Sequence, residues 1–98
     1  MQGINVLDFA TLAVDGAVTL VTNASPTLPS KCKRIYITSE TDAVRWRADG
    51  TAPTSSEGHV LAKDDSISFT GANYRQLLES IIFIKVTTAA TLKLTYFD

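Results

Sequence analysis

Very few side chains in this sequence could carry covalent or acid–base chemistry. His59 is the single histidine and Cys32 the single cysteine, so any Ser-His-Asp or Cys-His nucleophilic system would have to use that one imidazole. His59 follows Gly58, with Glu57 and Ser55-Ser56 close by. These neighbours make a polar loop without the order of a triad, and His59 reads as a solvated loop histidine. Glu40, Asp42, Asp49, Glu57, Asp64 and Asp65 all fall in or beside turn signals, where short carboxylates are favoured because they bond nearby backbone groups. A glycosidase needs two carboxylates placed across a sugar bond. A calcium site built from Asp49, Asp64 and Asp65 would lack the spacing of an EF-hand loop. The five glycines stand singly, so no phosphate-cradling loop is present. Cys32 lies between Lys31 and Lys33, whose charges can lower a thiol pKa, although the plainer reading is a thiol at the start of a strand. One cysteine excludes an intrachain disulfide and a four-cysteine metal site. The expectation is a protein that is not an enzyme, with no catalytic residue, cofactor or metal.

Arg45-Trp46-Arg47 invites a nucleic-acid or sugar platform. In a strand, however, Trp46 points opposite to its two arginines. Trp46 is expected in the core beside Val44, which leaves Arg45 and Arg47 outward to clamp a partner's carboxylates in bidentate fashion or to form a solvated face.

A chain of 98 residues makes one domain, 1–98, with one modest core and broad surfaces instead of a deep cleft. Apolar residues at 45% and charged residues at 19% place it among globular proteins. Nine Lys and Arg against ten Asp and Glu leave a net charge of −1. That balance gives no basic field for nucleic acid and little repulsion to oppose self-association. The first residues lack a basic leading region and a cleavage site, no apolar run approaches the ~20 residues of a membrane span, and no membrane association is expected. Asn23-Ala24-Ser25 matches a glycosylation acceptor and is read as accidental for the same reason.

Periodicity of two dominates from Arg34 onward. Ile35 and Ile37 alternate with Arg34, Tyr36 and Thr38, and Val44 and Trp46 with Arg45 and Arg47. Asp49-Gly50 closes that strand, Pro53 lies in a polar loop, Val60-Leu61 resumes pairing, and Ile67 and Phe69 carry another inward face. Leu92, Leu94 and Tyr96 alternate with Lys93, Thr95 and Phe97. The run from Ile81 to Val86 is apolar at both parities, with Ile82, Ile84 and Val86 on one face and Ile81 and Phe83 on the other, which predicts a strand covered on both sides. One cover would be the core and the other a neighbouring subunit. Gly71 to Ser80, with Tyr74, Leu77 and Leu78, reads as one helical turn or an irregular crossing. The first third is looser: Ile4, Val6, Leu7 and Phe9 suggest a short strand or an arm over residues 1–13, Val18 and Leu20 a strand, and Pro26 and Pro29 a loop. The expected fold class is all-β, an antiparallel sandwich of about seven or eight strands, jelly-roll or immunoglobulin-like, with a small barrel as the alternative.

The stretch RWRADGTAPTSSEGHVL with DDSISFTG, followed by SIIFIKVTTAATLKLTYFD, resembles small all-β structural proteins encoded by tailed bacteriophages. The residues that carry the resemblance are Arg45, Arg47, Asp49 to Thr51, Pro53, Thr54, Gly58, Leu61, Ala90, Leu92 and Tyr96. It covers roughly the C-terminal two-thirds and says little of residues 1–30. It implies a virion component, of capsid decoration or cement type, assembled in the host cytoplasm and placed on the capsid surface. The implied partner is the major capsid protein, and the implied assembly a homotrimer. Arg45, Arg47, Lys85 and Lys93 are the expected contacts to acidic capsid residues, with Ile81 and Phe83 the apolar contact and residues 1–13 an arm across an adjacent subunit. A tail or fibre-base module is the nearest alternative. A carbohydrate-binding sandwich is an alternative of another class, for which Tyr36, Tyr74 and Phe97 are the candidate stacking residues.

Overall fold

The computed structural model describes residues 6–69 and 75–98. Eight strands and one short helix follow each other: β1 (Val6–Val14), β2 (Val18–Thr19), β3 (Arg34–Glu40), β4 (Val44–Arg47), β5 (His59–Leu61), β6 (Ser66–Phe69), α1 (Arg75–Ser80), β7 (Ile82–Lys85) and β8 (Ala90–Phe97). They form two four-stranded sheets, β1-β8-β3-β6 and β2-β7-β4-β5. Four of the antiparallel pairs are β1 with β8, β2 with β7, β3 with β6 and β4 with β5. That nesting is one long hairpin, with its tip between β4 and β5, rolled so that its two arms share both sheets. Of the two expected sandwiches the topology is therefore the jelly roll.

Alternation explains which side of each strand is buried. Along β8, Ala90, Leu92, Leu94 and Tyr96 are buried while Thr91, Lys93, Thr95 and Phe97 are not. Ile35 and Ile37 of β3 and Ala10, Leu12 and Val14 of β1 complete the inner face of that sheet. Val44, Leu61 and Phe83 face them from the other sheet, and Trp46 meets Phe69 edge to face, ring centroids 5.4 Å apart. The connection from β2 to β3 adds Leu20, Ala24, Leu28 and Cys32 to the same core. It is fastened by the Tyr96 hydroxyl donating to the Pro26 carbonyl at 2.8 Å and by Arg75 Nη1 donating to the carbonyls of Pro29 and Cys32. Burial pushes the Tyr96 hydroxyl and the Cys32 thiol above their ordinary pKa values.

Two open alternatives close and one expectation changes. Val6 to Ala13 is no arm: β1 pairs with β8 from Val6 to Val14, with a register shift between Val6 and Asp8. That irregularity, and the small Ala10 on the inner face, hid the period of two; residues 1–5 lie outside the described residues. The stretch from Gly71 to Ser80 resolves into helix from Arg75, with Leu78 buried, and Gly71 to Tyr74 lie outside the described residues. The expected strand around Val18 and Leu20 shortens to Val18–Thr19, because Asn23 turns the chain by accepting from the Thr19 amide at 2.9 Å.

Removing buried volume from the central strand tests this core. Leu94→Ala should lower unfolding stability by about 2–5 kcal/mol, and Tyr96→Phe by about 1 kcal/mol through the orphaned Pro26 carbonyl. Urea unfolding followed by Trp46 fluorescence measures both.

Candidate functional site

The jelly roll sends the residues expected to bind a partner to different places. Arg45 and Arg47 project from the outer face of the β2-β7-β4-β5 sheet, since Val44 and Trp46 occupy the inner parity. Lys93 stands on the outer face of the other sheet, where its Nζ lies 3.4 Å from Thr11 Oγ1. Lys85 has the inner parity, opposite Val44, and escapes burial only because β7 ends there; its Nζ pairs with Asp15 at 2.5 Å. Ile81 and Phe83 are fully buried. Their expected role as a partner contact is therefore corrected: they fill the chain's own core, and Ile82 and Ile84 form the outward side of the strand. The six residues do not make one patch.

Both arginines are also engaged locally. Arg45 folds over the hairpin tip, with Nε donating to the Ser55 carbonyl at 2.9 Å and Nη1 to the Gly58 carbonyl at 2.8 Å. Arg47 pairs through both arms of its fork with the Asp49 carboxylate. That bond holds the Asp49 carboxyl below the usual range and raises Arg47 further. Within the tip, the Thr54 amide donates to the Glu57 carbonyl at 2.9 Å and the Glu57 amide to Thr54 Oγ1 at 3.0 Å. Gly58 has φ of 129°, and a Cβ there would sit 2.9 Å from Pro53 Cβ and 3.1 Å from the Trp46 carbonyl oxygen. Arg45, Arg47, Asp49, Thr54, Glu57 and Gly58 thus tie the hairpin tip together. Beside it an open cleft of about 630 Å³ is lined by Trp46, Arg47, Ala48, Asp49, Glu57, Gly58 and His59. His59 lies opposite Trp46 in the β4–β5 ladder and packs on its ring, centroids 4.7 Å apart. His59 starts β5, exposed, with its ring tilted 37° to that of Trp46.

Two outer faces remain. On the β2-β7-β4-β5 sheet, Val60, Arg45 and Ile84 lie in one row across three strands. Ile82 and Arg47 lie in the next row. Val60 is 52% exposed, and Ile82 and Ile84 are half-buried. On the β1-β8-β3-β6 sheet, one row runs Phe9, Thr95, Tyr36, Ser68 and the next Val6, Phe97, Arg34. Val6 is 62%, Phe9 57% and Tyr36 45% exposed. Two of the three candidate stacking residues, Tyr36 and Phe97, therefore come together on adjacent strands, while Tyr74 lies outside the described residues. Phe9 was missed as a surface residue; the inward run Ala10, Leu12, Val14 contained the parity that places it outside.

No protein-family model matches the chain, and neither does any curated protein or solved structure.

Two measurements probe the tip. Gly58→Ala should cost about 1–3 kcal/mol, because it combines positive φ with a steric clash; denaturant unfolding reads it. By NMR, the Asp49 carboxyl should titrate below the ordinary aspartate value of about 3.9 and return towards it in Arg47→Gln. The sign follows from the depressed folded-state pKa: what the pair adds to tip order is present above the ordinary value and lost as pH falls through the lowered one.

Proposed function

We propose that this protein is a non-catalytic structural component of a tailed-phage virion, a decoration protein that binds the head shell and stabilises it. The observation that supports this best is that both broad faces of the sandwich keep apolar side chains at the surface. A sandwich working alone in water needs only its inner faces apolar. Here Val60, Ile82 and Ile84 mark one outer face, and Val6, Phe9 and Tyr36 the other. A small rigid body with two adhesive sides suits a role between neighbouring subunits, where many identical copies each add a modest contact. Jelly rolls serve in viral capsid and lectin domains, which is support by fold analogy alone. The resemblance to phage structural proteins falls on the hairpin tip, the β6 region and the two central strands, β7 and β8.

In this reading the β2-β7-β4-β5 face meets the shell. Apolar Val60, Ile82 and Ile84 form the dry centre of the contact. Arg45 and Arg47 contribute chiefly by holding the tip at its rim, because their donors are already taken up within the chain. Quantitative mass spectrometry of purified particles tests the reading. Copies of the same order as the major capsid subunit are expected, and a handful per particle would move the protein to the tail. Ile84→Glu should prevent incorporation while leaving the unfolding midpoint within a few degrees of wild type. Normal occupancy by that variant would remove this face from the shell contact.

A second reading has one observation in its favour. Phe9, Tyr36 and Phe97 share one outer face amid threonine and serine hydroxyls, an arrangement on which a sugar ring could stack. Titration with glycans, read by chemical shifts of those three rings, separates it from the virion reading, which expects no saturable change.

A further inference from the structure

We infer that the outer face of the β1-β8-β3-β6 sheet is the contact of a two-fold symmetric dimer, in which two copies stack these sheets face to face with their strands antiparallel. The inference rests on how the side chains of this face are distributed, and it does not depend on the virion reading.

Ala10, Leu94, Ile37 and Ile67 form one row across all four strands, and all point inward. This row divides the outer face into two halves. On one side stand Val6, Phe9, Phe97, Arg34 and Tyr36, with Thr95 and Ser68 in the row of Phe9 and Tyr36. On the other stand Ala13, Thr11, Thr91, Glu40 and Thr38, together with Lys93. A two-fold axis lying between the stacked sheets, along the dividing row, lays each strand on its own copy in the reverse direction. Each bulky apolar residue then meets a small one on the same strand. Phe9 falls on the partner's Thr11, Tyr36 on the partner's Thr38, Phe97 on the partner's Thr91 and Val6 on the partner's Ala13. Arg34, bulky and charged, falls on an acidic residue of the opposite half, the partner's Glu40, and the axis makes that pair twice. Lys93 meets the partner's Thr95, so no like charges are brought together.

Stacked sheets lie about 10 Å apart with strand axes within about 30° of alignment. The twist displaces the pairs at the corners most, where Arg34 and Glu40 have long flexible side chains to span the gap. Four strands at ~4.8 Å spacing and seven residues at ~3.3 Å rise give a footprint of about 20 by 23 Å. That is a small interface, so the dimer dissociates on dilution. A surface that is its own complement closes after two copies. The proposal thus puts a two-fold contact on this face where the resemblance implied a homotrimer. It leaves the opposite face, with Val60, Ile82 and Ile84, free for another partner.

Sedimentation equilibrium and native mass spectrometry of the full chain over a concentration series test this. The wild type should pass from monomer to dimer in the micromolar range or above. Arg34→Glu alone and Glu40→Arg alone each place two like-charged pairs across the axis and should weaken dimerisation about tenfold or more. An equimolar mixture of the two variants should recover the wild-type affinity, because the mixed dimer carries two opposite-charge pairs. A misfolded variant could not produce that rescue. Tyr36→Glu should stay monomeric at every concentration, with an unfolding midpoint close to that of wild type in dilute solution. A wild type that is monomeric throughout, a trimer indifferent to these substitutions, or a mixture no tighter than its components would each overturn the proposal. A wild-type monomer would leave the virion reading standing, since that reading rests on particle occupancy.

Discussion

The structure depends on the last strand entering the middle of a sheet begun by the first. β8 is bonded on one side to β1 and on the other to β3, and its inward residues Leu92, Leu94 and Tyr96 are wholly buried. Without it, β1 would have no neighbour in its sheet. The other long-range pairs, β2 with β7 and β3 with β6, follow from the same closure, because they are further steps along one rolled hairpin. Most of this stabilisation is therefore non-local, and the loop-closure entropy must be met before the contacts that offset it exist. The hairpin tip is the exception, joining β4 to β5 across a short stretch of chain. It is also where the sequence spends its specialised residues: Arg45 on two carbonyls, Arg47 on Asp49, and Gly58 where a side chain would clash.

That economy explains why the outer cations do not form a basic clamp. An arginine fork has a fixed set of donors, and local carbonyls and a carboxylate already occupy several of those on Arg45 and Arg47. Lys85 lies at the end of the inner parity of the same sheet, and Lys93 on the outer face of the opposite sheet. Each broad face also keeps exposed apolar area among its hydroxyls and charges, and apolar area attracts without direction. Specificity on such faces must come from shape and from the few charges at their margins.

The sequence disclosed the architecture where alternation was clean. In β3 and β8 a single parity is apolar, and both strands could be assigned an inner face before any coordinates. In β7 both parities are apolar, and the pattern could not say which was core. The answer comes from the ladder, which sets Phe83 opposite Trp46 and so turns Ile82 and Ile84 outward. β1 was obscured by the register shift near Leu7 and by Ala10, a small residue where the core meets the β2–β3 connection. The surface sites were harder still. Phe9, Tyr36 and Phe97 are far apart in the chain and become neighbours only because β8 lies between β1 and β3. No local signal carries a strand order.

The same strand order explains why the two outer faces differ in kind. The β2-β7-β4-β5 sheet has short strands, so its outer side holds little more than Val60, Ile82, Ile84 and the two arginines. That is a patch without an internal complement, and it must find one elsewhere. The β1-β8-β3-β6 sheet has longer strands: β1 carries its bulky outward residues, Val6 and Phe9, at one end and its small ones, Thr11 and Ala13, at the other, and the outward aromatic residues of β3 and β8, Tyr36 and Phe97, lie at that same bulky end. A gradient of that kind is neutral for the isolated fold, because outward residues contribute little to the core. It acquires meaning when two copies are laid head to tail, where bulk meets hollow and Arg34 meets Glu40. A chain of this size has little core with which to support exposed aromatic rings for no return. One face that recognises itself and one that does not would make the protein a bivalent connector, with its own dimer at the centre and two equivalent free surfaces pointing away from each other.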